Sequence, residues 1–154
     1  MSNFPDRVYN IGILEQSTIG LAAGLAMEGL IPVIHTIAPF ATERCFEQIK
    51  NDFGYQKLGG NIVSVGASYD YAALGCTHHC PADVGILMNI PDIDIVVPGT
   101  SLEFESLFKQ AYANGKLTYF RLSERQNQSK FPVKFGQANI IKKGKLGTVI
   151  AVGP

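Results

Sequence analysis

Four short apolar runs rich in β-branched residues, each separated from the next by a longer segment of helical character, constrain the fold of this chain more than any other feature. The runs are Ile31 to Ile37, Asn61 to Val65, Ile93 to Val97 and Leu117 to Leu122. Helices are predicted between them over 41–55, 83–89 and 102–113, and before them over Leu14 to Met27. Runs this short and apolar suit strands covered on both faces, as in a parallel sheet. The alternation predicts an α/β fold, doubly wound, with a mainly parallel central sheet and helices on both faces. Ligands of such sheets sit beyond the carboxyl ends of the strands.

The first predicted helix, LEQSTIGLAAGLAM, sets Leu14, Thr18, Leu21, Ala22 and Leu25 at helical spacing among small residues, with Gly29 as its terminator. Gly20, Gly24 and Gly29 fall within or after this helix rather than in a strand-to-helix phosphate loop, and no Gly-Lys-Ser/Thr motif follows a strand, so a Rossmann or P-loop reading is poorly supported. Little strand precedes the helix, so the sheet is expected to lack its first strand. After Arg125 the composition turns polar, QNQSK, and a strand-like run reappears at Thr148 to Val152. The expected organisation is one domain over 1–128, then a linker and the first strand of an otherwise absent C-terminal domain over 129–154.

With 154 residues, 46% of them hydrophobic and 17% charged, the chain can bury one sizeable core. Thirteen basic residues balance thirteen acidic ones, so no global field draws it to nucleic acid or to an anionic membrane. No apolar run is long enough to span a bilayer. The N-terminus does not read as a signal peptide, and three cysteines, an odd count, are most simply reduced thiols in a cytoplasm.

The densest chemistry lies in LGCTHHCPAD, where Cys76 and Cys80 flank His78 and His79. A structural zinc site wants four converging ligands, commonly two separated pairs. Adjacent histidines cannot easily reach one ion together with both cysteines, and Cys45 and His35 could complete a set only through tertiary folding. A zinc-binding module stands as an alternative on these residues.

Two segments give the chain a family resemblance. YNIGILEQSTIGLAAGLAMEGLIPVIHTIAPF resembles the stretch of transketolase-like enzymes that runs from Gly-Ile-x-Glu-Gln through a small-residue helix into a strand and the aminopyrimidine pocket. GCTHH resembles their Gly-Pro-Thr-His loop, and MNIPDIDIVVPGTSLE their next helix end, strand and Val-Pro-x-Asp turn. In order and spacing the pieces fit over roughly residues 4 to 128. The resemblance is to the pyrimidine-binding domain of thiamine-diphosphate-dependent, transketolase-like enzymes, and it implies a transferase that moves a carbon unit from a small keto donor.

It also implies roles. Glu15 would be the carboxyl group hydrogen-bonded to a pyrimidine nitrogen, which helps the cofactor lose a carbon-bound proton; such a bond needs the protonated acid, which burial favours. Outside the motif Glu15 reads as a first-turn carboxylate at a helix dipole. Phe40 would pack on the aminopyrimidine and Ile37 would wall it; a core phenylalanine is the other reading of Phe40. His78 would face cofactor and substrate and relay a proton, with His35 a further candidate. Arg121 and Arg125 would hold a substrate phosphate, or else serve as surface and linker-pairing residues. No Gly-Asp pair occurs, so magnesium (or calcium) would come with the diphosphate on a pyrophosphate-binding partner domain or subunit, in a homodimer or heterotetramer. The isolated chain is then expected to be inactive.

Departures from the pattern qualify the substrate. Ala73 and Leu74 stand where enzymes of sugar phosphates have acidic residues, and Gly66-Ala67 replaces a His-Asp pair. Either the donor differs or the chain is a non-catalytic interaction or regulatory relative.

Overall fold

The computed structural model describes residues 3–128 and 131–154. Helix α1, Glu15–Met27, ends where Gly29 turns to φ +82 and the Leu30 amide donates back to the Leu25 carbonyl. A glycine is needed there because the left-handed region is strained for a residue with a Cβ. Strand β1, Val33–Ile37, leads into the short α2, Ala38–Ala41, and then α3, Phe46–Gln48, continues as a wide π-helical segment Ile49–Tyr55. The single helix predicted over 41–55 is therefore broken. The Thr42 amide and hydroxyl share the Ala38 carbonyl, the hydroxyl at 2.7 Å, and the ladder slips just beyond, where the Arg44 amide reaches back five residues to Pro39.

Strand β2, Gly60–Val65, is followed by a long loop, α4 (Asp83–Leu87), β3 (Asp94–Val96), α5 (Ser101–Ala111) and β4 (Leu117–Arg121). Thr100 caps α5, its side chain accepting from the Glu103 amide, while Glu103 accepts from the Gly99 amide. The four strands form one parallel sheet in the order β1-β2-β4-β3. Successive side chains go to opposite faces. Ile34, Ile62 and Tyr119 pack with Ile19 of α1, Ile49, Phe53 and Leu87 on one side, and Val63, Val96 and Phe120 pack with Ala111 and Phe108 on the other. The architecture is the expected α/β one, with helices on both faces.

The expected strand at Thr148 to Val152 does not form. The stretch is irregular, with Val149, Ile150 and Val152 exposed, and it pairs with none of the described strands. Nearby, the Gln110 side chain bonds the backbone of Val133 and Phe135, and the Asn127 side-chain amide donates to Gly153. The expected boundary at 128/129 and the end of the QNQSK stretch fall on residues 129 and 130, which lie outside the described residues. Among the described residues, no helix is long and apolar enough to cross a membrane.

One polar network is buried in this frame. Asp83, the first residue of α4, is fully buried, and its Oδ2 accepts from Tyr119 Oη at 2.8 Å and Arg121 Nε at 2.6 Å. Because the phenol donates to the carboxylate, the Ser64 hydroxyl at 2.7 Å must donate to the phenol. Burial, then the neighbouring Asp83 charge, pushes the Tyr119 phenol far above its ordinary range, so it stays a donor. Removing one member of a buried pair strands the other charge and typically costs about 3–5 kcal/mol. Arg121→Met is expected to lower stability by that order, and Asp83→Asn combined with Arg121→Met to cost less than Arg121→Met alone. Denaturant unfolding checks both, and an Arg121→Met loss below about 1 kcal/mol, the range of an exposed pair, would contradict the network.

The cysteines separate in the same way. Cys45 and Cys80 are fully buried and Cys76 is exposed. Burial is the largest cause pushing both the Cys45 and the Cys80 thiol from 9.0 up to about 11. A raised folded value means the neutral thiol is favoured in the fold, so this contribution to stability is whole below the unfolded value and fades as pH climbs through about 11. At pH 8, Cys76 is expected to react rapidly with a thiol reagent and the other two only on unfolding. More than one fast thiol would contradict this burial.

Candidate functional site

The groups singled out by sequence gather where the strands end. Glu15 opens α1, just after Gly12 makes a turn at φ +87, and its side chain is 13% exposed. It borders a cleft of about 170 Å³ together with Thr18 and Ile19 of α1, His35 and Thr36 of β1, and Cys45. His35 Nδ1 lies 3.0 Å from the Val63 carbonyl; a carbonyl only accepts, so the bond places the ring proton on Nδ1. Ile37, half-buried, closes β1, and Phe40 follows in α2.

Between them stands Arg44, which sequence reasoning missed. Its Nη1 donates to Glu15 Oε2 at 3.0 Å, and its guanidinium carbon lies 4.1 Å from the centre of the Phe40 ring. Phe40 in turn meets the His78 imidazole edge-on, with centroids 5.3 Å apart at 73°. Glu15, Arg44, Phe40 and His78 thus form one continuous chain of contacts. The only local signal for Arg44 is its place four residues after Phe40, a spacing at which a cation can reach a ring on a helix. Its partner Glu15 is 29 residues away.

The loop that carries His78 is closed at its base by an antiparallel bridge between Ser68 and Cys80. His78 ends a single 3-10 turn, Cys76–His78, and its Nδ1 is 3.0 Å from the Thr77 hydroxyl. His79 faces elsewhere, against Tyr69 with centroids 5.1 Å apart. Cys80 points inward, near Thr42 Oγ1 at 3.5 Å and Glu43 Oε1 at 3.8 Å, while Cys76 faces solvent. The metal-like cluster is dispersed by the turn, and among the described residues no group of three or more His, Cys, Asp or Glu is placed to hold an ion.

Two departures gain a physical setting. Gly66 sits at φ +77, and a Cβ there would collide with the Tyr71 ring, which fills the space a larger residue would need. Ala73 and Leu74 lie exposed in a separate 3-10 turn, Ala72–Leu74.

Arg121 is placed differently from a ligand-facing cation. Besides Asp83 it binds Ser68 Oγ through Nη2 at 2.7 Å, with the Cys80 carbonyl at 3.5 Å. Its guanidinium is engaged inside the protein, where it ties the base of the His78 loop to β4. Arg125 lies beyond, exposed, with its amide donating to Ser123 Oγ. The structure brings together Glu15, Phe40 and His78, and brings neither arginine into their chain of contacts.

Comparison with known proteins gives the family. The family model described as "Transketolase, pyrimidine binding domain" matches residues 1–129. An uncharacterised 33.6 kDa protein of the fasciation locus of Rhodococcoides fascians is 41% identical over 150 residues, covering 97% of this chain and 48% of that protein. One of the subunits of the apulose-4-phosphate transketolase of Actinobacillus succinogenes is 31% identical, covering 99% of this chain and 50% of its own length. The chain thus spans about half the length of these relatives. Among solved structures, a split-gene transketolase described as an inactive β4 tetramer superposes with a TM-score of 0.79 at 30% identity, covering 92% of this chain and 46% of that one. Transketolase from Campylobacter jejuni, at 18% identity and a TM-score of 0.68, covering 75% of this chain and 18% of its own, shares the fold. On the match over residues 1–129, together with the parallel sheet and the site at its strand ends, the chain belongs to the transketolase pyrimidine-binding domain family.

Proposed function

We propose that the chain supplies the pyrimidine-binding half of a thiamine-diphosphate-dependent, transketolase-like enzyme, acting in a reducing cytoplasm. The observation that carries the reading is the continuous contact from Glu15 through Arg44 and Phe40 to His78. The residues suit a pyrimidine by their chemistry: a carboxyl group borders a cleft of about 170 Å³, and half-buried Ile37 and Phe40 offer apolar and aromatic surface. Bound, the cofactor supplies the carbanion chemistry that transfers a carbon unit from a keto donor.

This chain's residues do the rest. Glu15 holds a proton toward a pyrimidine nitrogen, Ile37 and Phe40 orient and dry the ring, and His78 donates to or accepts from the reacting substrate through Nε2. Thr77 keeps the imidazole oriented by occupying Nδ1. A substrate phosphate, if the donor carries one, falls to Arg125, the exposed member of the arginine pair; Arg121 contributes by holding the loop.

A pyrophosphate-binding partner holds the diphosphate with its magnesium or calcium. An apolar surface for such a partner is present: Leu14, Leu21 and Met27 of α1 and its cap, with Leu30, Ile31 and Val33 after it, are all exposed. A helix apolar on the side away from its own core suits burial against another chain. A homodimer or a heterotetramer with the partner fits this face.

With that partner present, Glu15→Ala is expected to lower turnover by at least about 10²-fold, the scale of a lost acid or base, without changing the thermal midpoint by more than a surface pair allows. Retained turnover would remove Glu15 from its role. On its own the chain is expected to bind thiamine diphosphate weakly; a calorimetric Kd below about 1 μM, worth about −8 kcal/mol, would contradict the division into two halves.

A further inference from the structure

Arg44 uses the two surfaces that the pyrimidine reading, on which this inference rests, assigns to the cofactor ring. Its Nη1 donates to Glu15 Oε2 at 3.0 Å, and its guanidinium lies over Phe40 at 4.1 Å, a stacking distance that leaves no room for a second planar group between them. A guanidinium is flat and stacks on aromatic faces, and its rim here meets Glu15, so it occupies the same two surfaces that the pyrimidine reading gives to the ring. One ring face cannot hold two planar groups, so the two compete for Phe40.

We propose that Arg44 is a built-in competitor of the pyrimidine ring: it holds Glu15 and Phe40 in place and must leave them when the ring enters. The backbone is anchored for such an exchange, because Gln16 Nε2 donates to the Arg44 carbonyl at 3.2 Å. Only the side chain need move, and it is already 42% exposed, so solvent lies beside its path. Contacts of this kind between partly exposed groups are weak enough to be exchanged. Arg44 therefore sets how tightly the ring must bind before Glu15 is released to it. Its role is positioning and selection: planar groups that can match both surfaces displace it, and ligands that reach only one do not.

Thiamine, which carries the aminopyrimidine without the diphosphate, tests this on the full chain by NMR titration. In the wild type, ring current from Phe40 should shift the Arg44 side-chain protons upfield, and thiamine should abolish that shift as the Glu15 and Phe40 signals move. Arg44→Gln is expected to bind thiamine about 3- to 10-fold more tightly, the range set by one exposed cation–π contact and one exposed ion pair. Arg44→Lys, which keeps the charge but not the planar stack, should fall between the two and serves if the glutamine variant folds poorly. Equal or weaker binding by both variants, or thiamine binding that leaves the Arg44 signals unmoved, overturns the proposal alone. No shift at Glu15 or Phe40 in any of the proteins overturns the proposal and the pyrimidine reading together.

Discussion

A parallel ladder sends every strand end in the same direction, and the chemistry of this domain depends on that constraint. Ile37 closes β1 and delivers Phe40 one short turn later; the loop leaving β2 brings His78; Arg121 is the last residue of β4. Register holds these ends level, since Ile37 pairs with Val65 and Ser64 with Arg121. Because both faces of the sheet are packed, with Ile62 and Tyr119 toward one set of helices and Val63 and Phe120 toward α5, a shift of one residue would exchange the two faces. The site is therefore fixed by packing that lies well beneath it.

Polar groups near these ends divide into two kinds. Asp83, Tyr119, Ser64 and Arg121 form a buried network in which each observed donor has an acceptor, and their energetic value comes from the cost of leaving any one of them alone. Glu15 pairs instead with Arg44, whose side chain is 42% exposed, and a pair open to solvent on one side contributes less to stability and can be exchanged. The first kind keeps the His78 loop on the sheet. The second is available for ligand exchange, and this difference in burial separates support from chemistry.

Much of the fold is legible in the sequence because its signals are local. The small-residue helix, its Gly29 terminator and the four apolar runs correspond to α1 and β1–β4 with shifts of a few residues at their ends. The helix expected over 41–55 is broken where the Arg44 amide bonds five residues back to Pro39, which periodicity does not register. Thr148 to Val152 has strand composition but pairs with none of the described strands, and composition alone cannot provide a ladder. In the site, Glu15, Phe40 and His78 can be named from motifs, whereas Arg44 and Asp83 cannot, since their partners lie 29 and 38 residues away. The same distance hides the pairing of Arg121 with Asp83, which no local pattern shows.

The most direct measurement of the central claim is the exchange rate of the thiazolium carbon-bound proton of thiamine diphosphate, followed by NMR in deuterated solvent with this chain and a pyrophosphate-binding partner. The expected result is exchange faster than in free cofactor by about 10²–10⁴-fold, the range of a positioned proton-transfer group, and its loss in Glu15→Gln with binding retained. Exchange at the free-cofactor rate in the assembled wild type, or acceleration unchanged by Glu15→Gln, would contradict the assignment of this chain's carboxylate to cofactor activation.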